Sequence, residues 1–267
     1  MRTPPPLTPF FTAGSRRPAL VPLTASTAPR GARLLRLQVR DRPGNLATVC
    51  SRLAEHGVNV LRLEVLARES GFAIDDLLVA GGQIEPALAS LGSTATVLAN
   101  RGNADLLDPV LAMAGACAGV TAATSAREAC RQLVQGALEL VFAEAAFVCV
   151  RDGMHFLRPV ASTVLDLPPL EDGPASLLRS AIESGECLTA DGRAPWAALG
   201  FRELLPNGAV LAVPGGSAPY LVLVLVRDDD ARFVSTEVDR LAALVRVATG
   251  TLQLHDRAVR TPIAALA

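Results

Sequence analysis

An α+β chain is predicted by three features of this 267-residue sequence. Residues 33–99 alternate between apolar spacing of period two and period 3.6, in the order β-α-β-β-α-β. Residues 204–226 carry no charge and hold two apolar runs around a turn rich in Pro and Gly. Apolar stripes at helical spacing precede and follow those runs. Half of the residues are apolar, enough to bury a sizeable core.

Residues 1–31 hold seven of the 19 prolines and no acid, so a disordered tail is expected there. Ala19-Leu20-Val21 is cut short by Pro22, too short for a secretory apolar core. From Arg33, Leu35, Leu37 and Val39 alternate with Arg36, Gln38 and Arg40, which predicts a half-buried strand. Asp41-Arg42-Pro43-Gly44-Asn45 reads as a loop. Leu46, Val49, Cys50 and Leu53 then recur at helical spacing, with Gly57 at the C-terminal stop. Leu61, Leu63 and Val65 alternate with Arg62 and Glu64. After the turn at Glu69-Ser70-Gly71, a third strand over Phe72–Ala80 crosses the acidic pair Asp75-Asp76. Pro86 suits the first turn of a short helix over Ile84–Leu91, and Thr94–Ala99 is the last strand. This is the split βαβ, ferredoxin-like order. Arg36, Gln38, Arg40, Arg62 and Glu64 share the sheet face opposite the helices. A solvated mixed-charge face is the expectation there, and a pairing surface the alternative.

Leu35–Ala47, with its Asp41-Arg42-Pro43-Gly44-Asn45 loop, and Gly57-Val58-Asn59-Val60 resemble the ACT domain over about residues 32–100. The resemblance implies a regulatory module that binds small molecules, often amino acids, at this loop and usually between two such domains. It carries over Asp41, Gly44, Asn45, Leu46 and Asn59 as candidate contacts.

The residues support such a site on physical grounds. Gly44 lacks a Cβ where the chain turns into a helix, so a ligand can approach the backbone. The first helical N–H groups lack intrahelical acceptors and carry partial positive charge, which suits a carboxylate. Asp41 or Asn59 can accept from an α-amino group. Pro43-Gly44 also shapes the turn, so purely structural pairing stays open as the alternative.

In the second half, Asp105–Ala118 is an Ala-rich helix. Ser125 and Glu128 form a capping-box signature ahead of a stripe at Cys130, Leu133, Val134, Ala137, Leu140 and Val141. Strands are predicted at Ala146–Arg151, His155–Ser162, Glu186–Ala190, Ala209–Val213 and Tyr220–Val226, with a short helix over Pro174–Ser184. A closing helix starts at Phe233–Glu237 and repeats Val238, Leu241, Val245, Ala248 and Leu252. This order, and the ending Ala231-Arg232-Phe233-Val234-Ser235-Thr236-Glu237, resemble a GAF domain over about residues 120–256. The division expected is a tail (1–31), an ACT-like unit (32–100), a linker helix (101–120), a GAF-like unit (121–257) and a tail (258–267). The resemblance implies a sensory or dimerising antiparallel sheet flanked by helices. A second pocket is expected near Cys149, His155, Trp196, Phe201 and Arg202. Lid packing is the competing role for Trp196 and Phe201, and an ordinary strand position for His155.

All 25 basic residues are Arg, so Schiff-base chemistry and a Lys-bearing P-loop are excluded. The five Cys are scattered without a CxxC pair, as reduced thiols of a reducing cytoplasm would be, and Cys187 is expected to be inert. No metal motif, nucleophile elbow or dinucleotide fingerprint is present, and no cofactor is expected. A net charge of −1 gives no argument for nucleic acid or an anionic membrane as partner. Pro and Gly interrupt residues 204–226, which argues against a membrane span. The expectation is a cytoplasmic, non-enzymatic homodimer that binds an amino acid and signals to an unidentified protein. The alternative is a ligand-free interaction scaffold of the same two modules.

Overall fold

The computed structural model describes residues 31–102, 109–141, 143–152, 156–163, 177–191, 209–216, 221–227 and 232–264. These form two antiparallel sheets. The first sheet contains β1 (Arg33–Arg40), β2 (Asn59–Glu69), β3 (Phe72–Ala80) and β4 (Ala95–Gly102). Between them, α1 (Asn45–Glu55) joins β1 to β2 and α2 (Ile84–Leu91) joins β3 to β4. The spatial order is β2-β3-β1-β4, so the βαββαβ order read from the sequence is present.

Strand alternation sets the two faces. Leu35, Leu37, Val39, Leu77 and Val79 pack beneath Val49 and Leu53 of α1 and Ala87 and Leu91 of α2. The links at the far end of α1 are tight. Gly82 has φ +62°, and a Cβ there would lie 2.4 Å from the His56 carbonyl oxygen and 2.5 Å from the Gly57 carbonyl carbon. Only Gly lets these two loops meet, and the Gln83 N–H donates to His56 O at 3.0 Å.

The second sheet has the order β6-β5-β9-β8-β7. Its strands are β5 (Ala145–Asp152), β6 (Phe156–Ser162), β7 (Leu188–Asp191), β8 (Ala209–Pro214) and β9 (Leu221–Arg227). Its helices are α3 (Pro109–Thr121), α4 (Ala126–Leu140), α5 (Leu177–Ser184) and α6 (Ser235–Ala264). The apolar runs of β8 and β9 are buried on both faces. Val148, Leu211, Val213, Leu223 and Leu225 face α3, α4 and α6, whereas Phe147, Cys149, Val210, Val222 and Val224 face α5. The α3 helix, expected as a linker, contributes Ala116 and Val120 to this same core. Gly215 N–H donates to Leu221 O at 2.7 Å, closing the β8–β9 hairpin.

Helix starts follow the sequence signals with one exchange. Ser125 Oγ accepts from Glu128 N–H at 3.2 Å, as the capping signature predicts. Glu128 does not reach back. It accepts from Gln132 Nε2 at 2.8 Å and pairs with Arg131. The returning carboxylate appears at α6, where Glu237 Oε2 accepts from Val234 N–H at 3.1 Å.

The face holding Arg36 departs from the expected solvated surface. The N-terminal turns of α6 cover it, and Arg36 is only 2% exposed. Arg36 donates from Nε and Nη2 to the two Asp76 oxygens at 2.8 and 2.9 Å. Its Nη1 lies 2.9 Å from Glu237 Oε1, and Arg227 Nη2 donates to that same oxygen at 2.9 Å. The Arg227 guanidinium stacks over Phe233, 4.2 Å from the ring centre. Two cations and two anions thus neutralise one another in a buried row between the units. Around it, Thr236 Oγ1 donates to Leu66 O at 3.0 Å, Glu64 pairs with Arg240, and Val234 packs on Leu66 and Ala67. Arg40 remains exposed. No helix of the described residues is long and apolar enough to cross a membrane.

Candidate functional site

The loop between β1 and α1 is built by short local bonds. Asp41 N–H donates to Gly71 O at 2.9 Å, tying the loop to the β2–β3 turn. Gly44 stands at φ +88°, a left-handed conformation that other residues enter at a cost. Asn45 Nδ2 donates to Arg40 O at 3.0 Å, so its side chain straps the loop to the end of β1. Thr48 Oγ1 donates to Gly44 O at 3.0 Å.

What the loop leaves unsatisfied is chemically useful. No side chain caps α1. Thr48 N–H makes the first helical bond, to Gly44 O, and Asn45 N–H reaches Arg42 O. Among the described residues, the amides of Leu46 and Ala47 find no such acceptor. A Cβ placed on Gly44 would meet nothing within 4 Å, so the space in front of these amides is open. Asp41 and Gly44 are exposed, and Leu46 is half-buried at the rim. Together these groups form an exposed, partly positive helix end with a carboxylate beside it.

Asn59 does not join this cluster within one chain. It pairs with Ala80, whereas Arg40, next to Asp41, pairs with Phe72. Eight strand steps separate those registers, roughly 26 Å at about 3.3 Å per residue. Asn59 is exposed beside the C-terminal end of α1. Within one chain Asp41 and Asn59 lie at opposite ends of the sheet, because β1 and β2 both run antiparallel to β3 and so lie parallel to each other.

The acidic pair in β3 divides between the two faces. Asp76 points towards α6 and holds Arg36. Asp75 lies opposite Leu37 and Val65, on the face that α1 covers. It is 2% exposed, and its Oδ1 is buried without a hydrogen-bond partner. Burial, together with the like charges of Asp41 and Asp76, raises its pKa above the usual carboxylate value, and Arg68 opposes that rise. Burial raises the Cys50 thiol, and the Asp75 charge adds to it. The carboxylate therefore lies on the α1-covered face of β3, three residues from its loop end at Phe72. Two acids in the middle of an otherwise apolar strand were visible in the sequence, but which of them faces the loop was not.

Of the second expected pocket, His155, Trp196, Phe201 and Arg202 lie outside the described residues. Cys149 is fully enclosed among Phe147, Val210, Val222 and Leu178, and burial drives its thiol far above the ordinary range. Burial also pushes the Cys130 thiol up to about 11. Cys187 is raised as well, mainly by burial and next by Asp239, which keeps it in the unreactive thiol form. All five cysteines are free.

No curated protein sequence matches the chain significantly. Among solved structures, the chain is similar to the GAF domain/HD domain protein from Geobacter sulfurreducens, with 24% identity, 52% of this chain, 97% of that one and a TM-score of 0.43. It is also similar to the GAF domain of a phosphoenolpyruvate-protein phosphotransferase from Coxiella burnetii, with 19% identity, 59% and 99% coverage and a TM-score of 0.47. A third is free methionine-R-sulfoxide reductase from Neisseria meningitidis, with 14% identity, 56% and 91% coverage and a TM-score of 0.49. The family model of the ACT domain matches residues 33–95. That match covers the whole of β1, α1, β2, β3 and α2 and the opening of β4, so this part of the chain is an ACT domain, a regulatory module.

Proposed function

We propose that the chain is a non-enzymatic regulatory protein that binds an amino acid at the loop of Asp41, Gly44, Asn45 and Leu46 and passes the binding state to α6 and a protein partner. The observation that carries this reading is the open, uncapped start of α1. The free amides of Leu46 and Ala47 suit an α-carboxylate, and the exposed Asp41 of the same loop supplies negative charge for an ammonium group.

Asn59 enters through a second copy. The 11-residue strand β2 is the edge of its sheet, with Leu61 and Val65 exposed along it. An edge strand without a strand neighbour on its outer side is a template for another strand, although α6 holds the Leu66 carbonyl of this one. If the β2 strands of two copies pair antiparallel about a two-fold axis, Asn59 of one copy comes to the Glu69 end of the other, next to its Asp41 loop. The same homodimer then completes two identical sites. Because α6 is docked on the opposite sheet face by buried ion pairs, a shift of the sheet is transmitted to α6. Ligand binding changes the output only as far as it favours one such arrangement over another.

Thermal melting of the purified chain with each of the twenty amino acids tests this. A ligand at 100 times its Kd adds about 2.7 kcal/mol to stability. A stabilising amino acid whose effect is lost in Asn59→Ala supports the reading. A folded protein that no amino acid stabilises leaves the scaffold alternative, and its partner would then be sought through the α6 surface.

A further inference from the structure

We propose that Asp75 is the ammonium-binding carboxylate of this site, so that the ligand must carry a free amino group next to the carboxylate that α1 holds. The inference rests on the reading of the β1–α1 loop as a ligand site and adds a residue from inside the sheet.

Four observations carry it. Asp75 occupies a position whose neighbours on the same face, Ala73, Leu77 and Val79, are buried and apolar. A carboxylate there is costly unless something pairs with it. Its Oδ1 is enclosed and accepts no hydrogen bond, unlike Asp76, whose two oxygens are both held by Arg36. Arg68 is the cation whose charge reaches Asp75 most strongly, yet it is exposed on the edge strand and no hydrogen bond joins the two. Asp75 pairs with Leu37, three residues before β1 ends at Arg40, so it lies in the half of the sheet next to the start of α1, and its charge is felt by Asp41 of the loop and Cys50 of α1.

The free amides of Leu46 and Ala47 supply partial positive charge, and Asp41 and Asp75 supply negative charge. A zwitterion with its carboxylate on the helix end and its ammonium towards Asp75 satisfies both. Val65, the register partner of Asp75 on the β2 edge, is 39% exposed.

The test uses the full chain and its Asp75→Leu and Asp75→Asn variants. The probes are the twenty amino acids and, for any that stabilises the wild type, the matching acid without the amino group. Without ligand, both variants should melt higher than the wild type at pH 7, because an unpaired buried charge has gone. With ligand, calorimetry should show a Kd weakened roughly ten- to hundredfold, and the acid without the amino group should bind the wild type as weakly. A merely structural Asp75 would change the melting point and leave Kd alone. Unchanged affinity in Asp75→Leu, or equal affinity for the deaminated acid, overturns the role of Asp75 and leaves the loop site standing. A wild type that no amino acid stabilises overturns both. Asp75→Asn keeps the test open if the Leu variant misfolds.

Discussion

At the residue scale, two glycines hold the ends of α1 for different reasons. Gly44 has a left-handed φ with empty space around it, and Gly82 has both a left-handed φ and a backbone pressed against it. Gly44→Ala should cost only the backbone term, about 1–2 kcal/mol. Gly82→Ala should cost on the order of 3 kcal/mol, because a methyl group would overlap the backbone of His56–Val58. Urea midpoints at unchanged slope would check the ranking, and equal losses would contradict it. The motif Pro43-Gly44 was legible in the sequence because a loop opening a helix needs a residue free of Cβ strain. The roles of Asn45 and Asp75 were not. Asn45 spends its side-chain amide on Arg40 O, and a face inside a sheet is set by the strand register, which sequence spacing leaves loose around the bulges of β2.

At the element scale, the start of α6 does more than begin a helix. Glu237 caps its own backbone, receives Arg227 and reaches Arg36 of β1. Removing one partner from such a buried group leaves the others unpaired, so Glu237→Gln should cost about 3–5 kcal/mol. The pH dependence has a definite sign. Burial would raise the Glu237 pKa, but the charges of Arg36 and Arg227 outweigh it and hold it below its ordinary 4.5. Its ionised form therefore contributes stability above pH 4.5 that is lost as pH falls below that value. Stability curves should show this acid loss in the wild type and lack it in Glu237→Gln. Asp75 has the opposite sign. Its raised pKa means that stability is lost as pH rises above 3.8, and Asp75→Asn should remove that loss. The start of α6 could be read from Phe233–Glu237, yet the same Glu serves as cap and as ion-pair partner, and only the cap is a local signal.

At the scale of the whole molecule, the ACT domain and the second unit are joined through one face of one sheet. The bonds there connect residues far apart in sequence, as when Thr236 meets Leu66. The sheet also exposes its edges, of which β2 carries Leu61 and Val65. Val65→Lys places a charge on the edge and should shift the proposed dimer towards monomer, which sedimentation would measure. A dimer of undiminished strength would move the interface elsewhere, to the helices of the second unit. The same variant should weaken amino-acid binding, since it separates the loop from Asn59 of the second copy.

The sequence by itself determined the elements. Period-two and period-3.6 spacing, the loop at Asp41–Asn45 and the apolar runs over 209–226 are local patterns, and each reappears as a strand, a turn or a helix within a few residues. It also determined the ACT domain, whose motifs lie in one contiguous stretch. Tertiary structure decided what those elements face. Arg36 reads as a solvated residue by alternation and becomes buried because α6 returns to cover it. Asp41 and Asn59 are both candidate contacts by resemblance, and they stand at opposite ends of the sheet because β1 and β2 run parallel. Direction and docking depend on contacts between distant residues, and spacing along the chain carries no record of those.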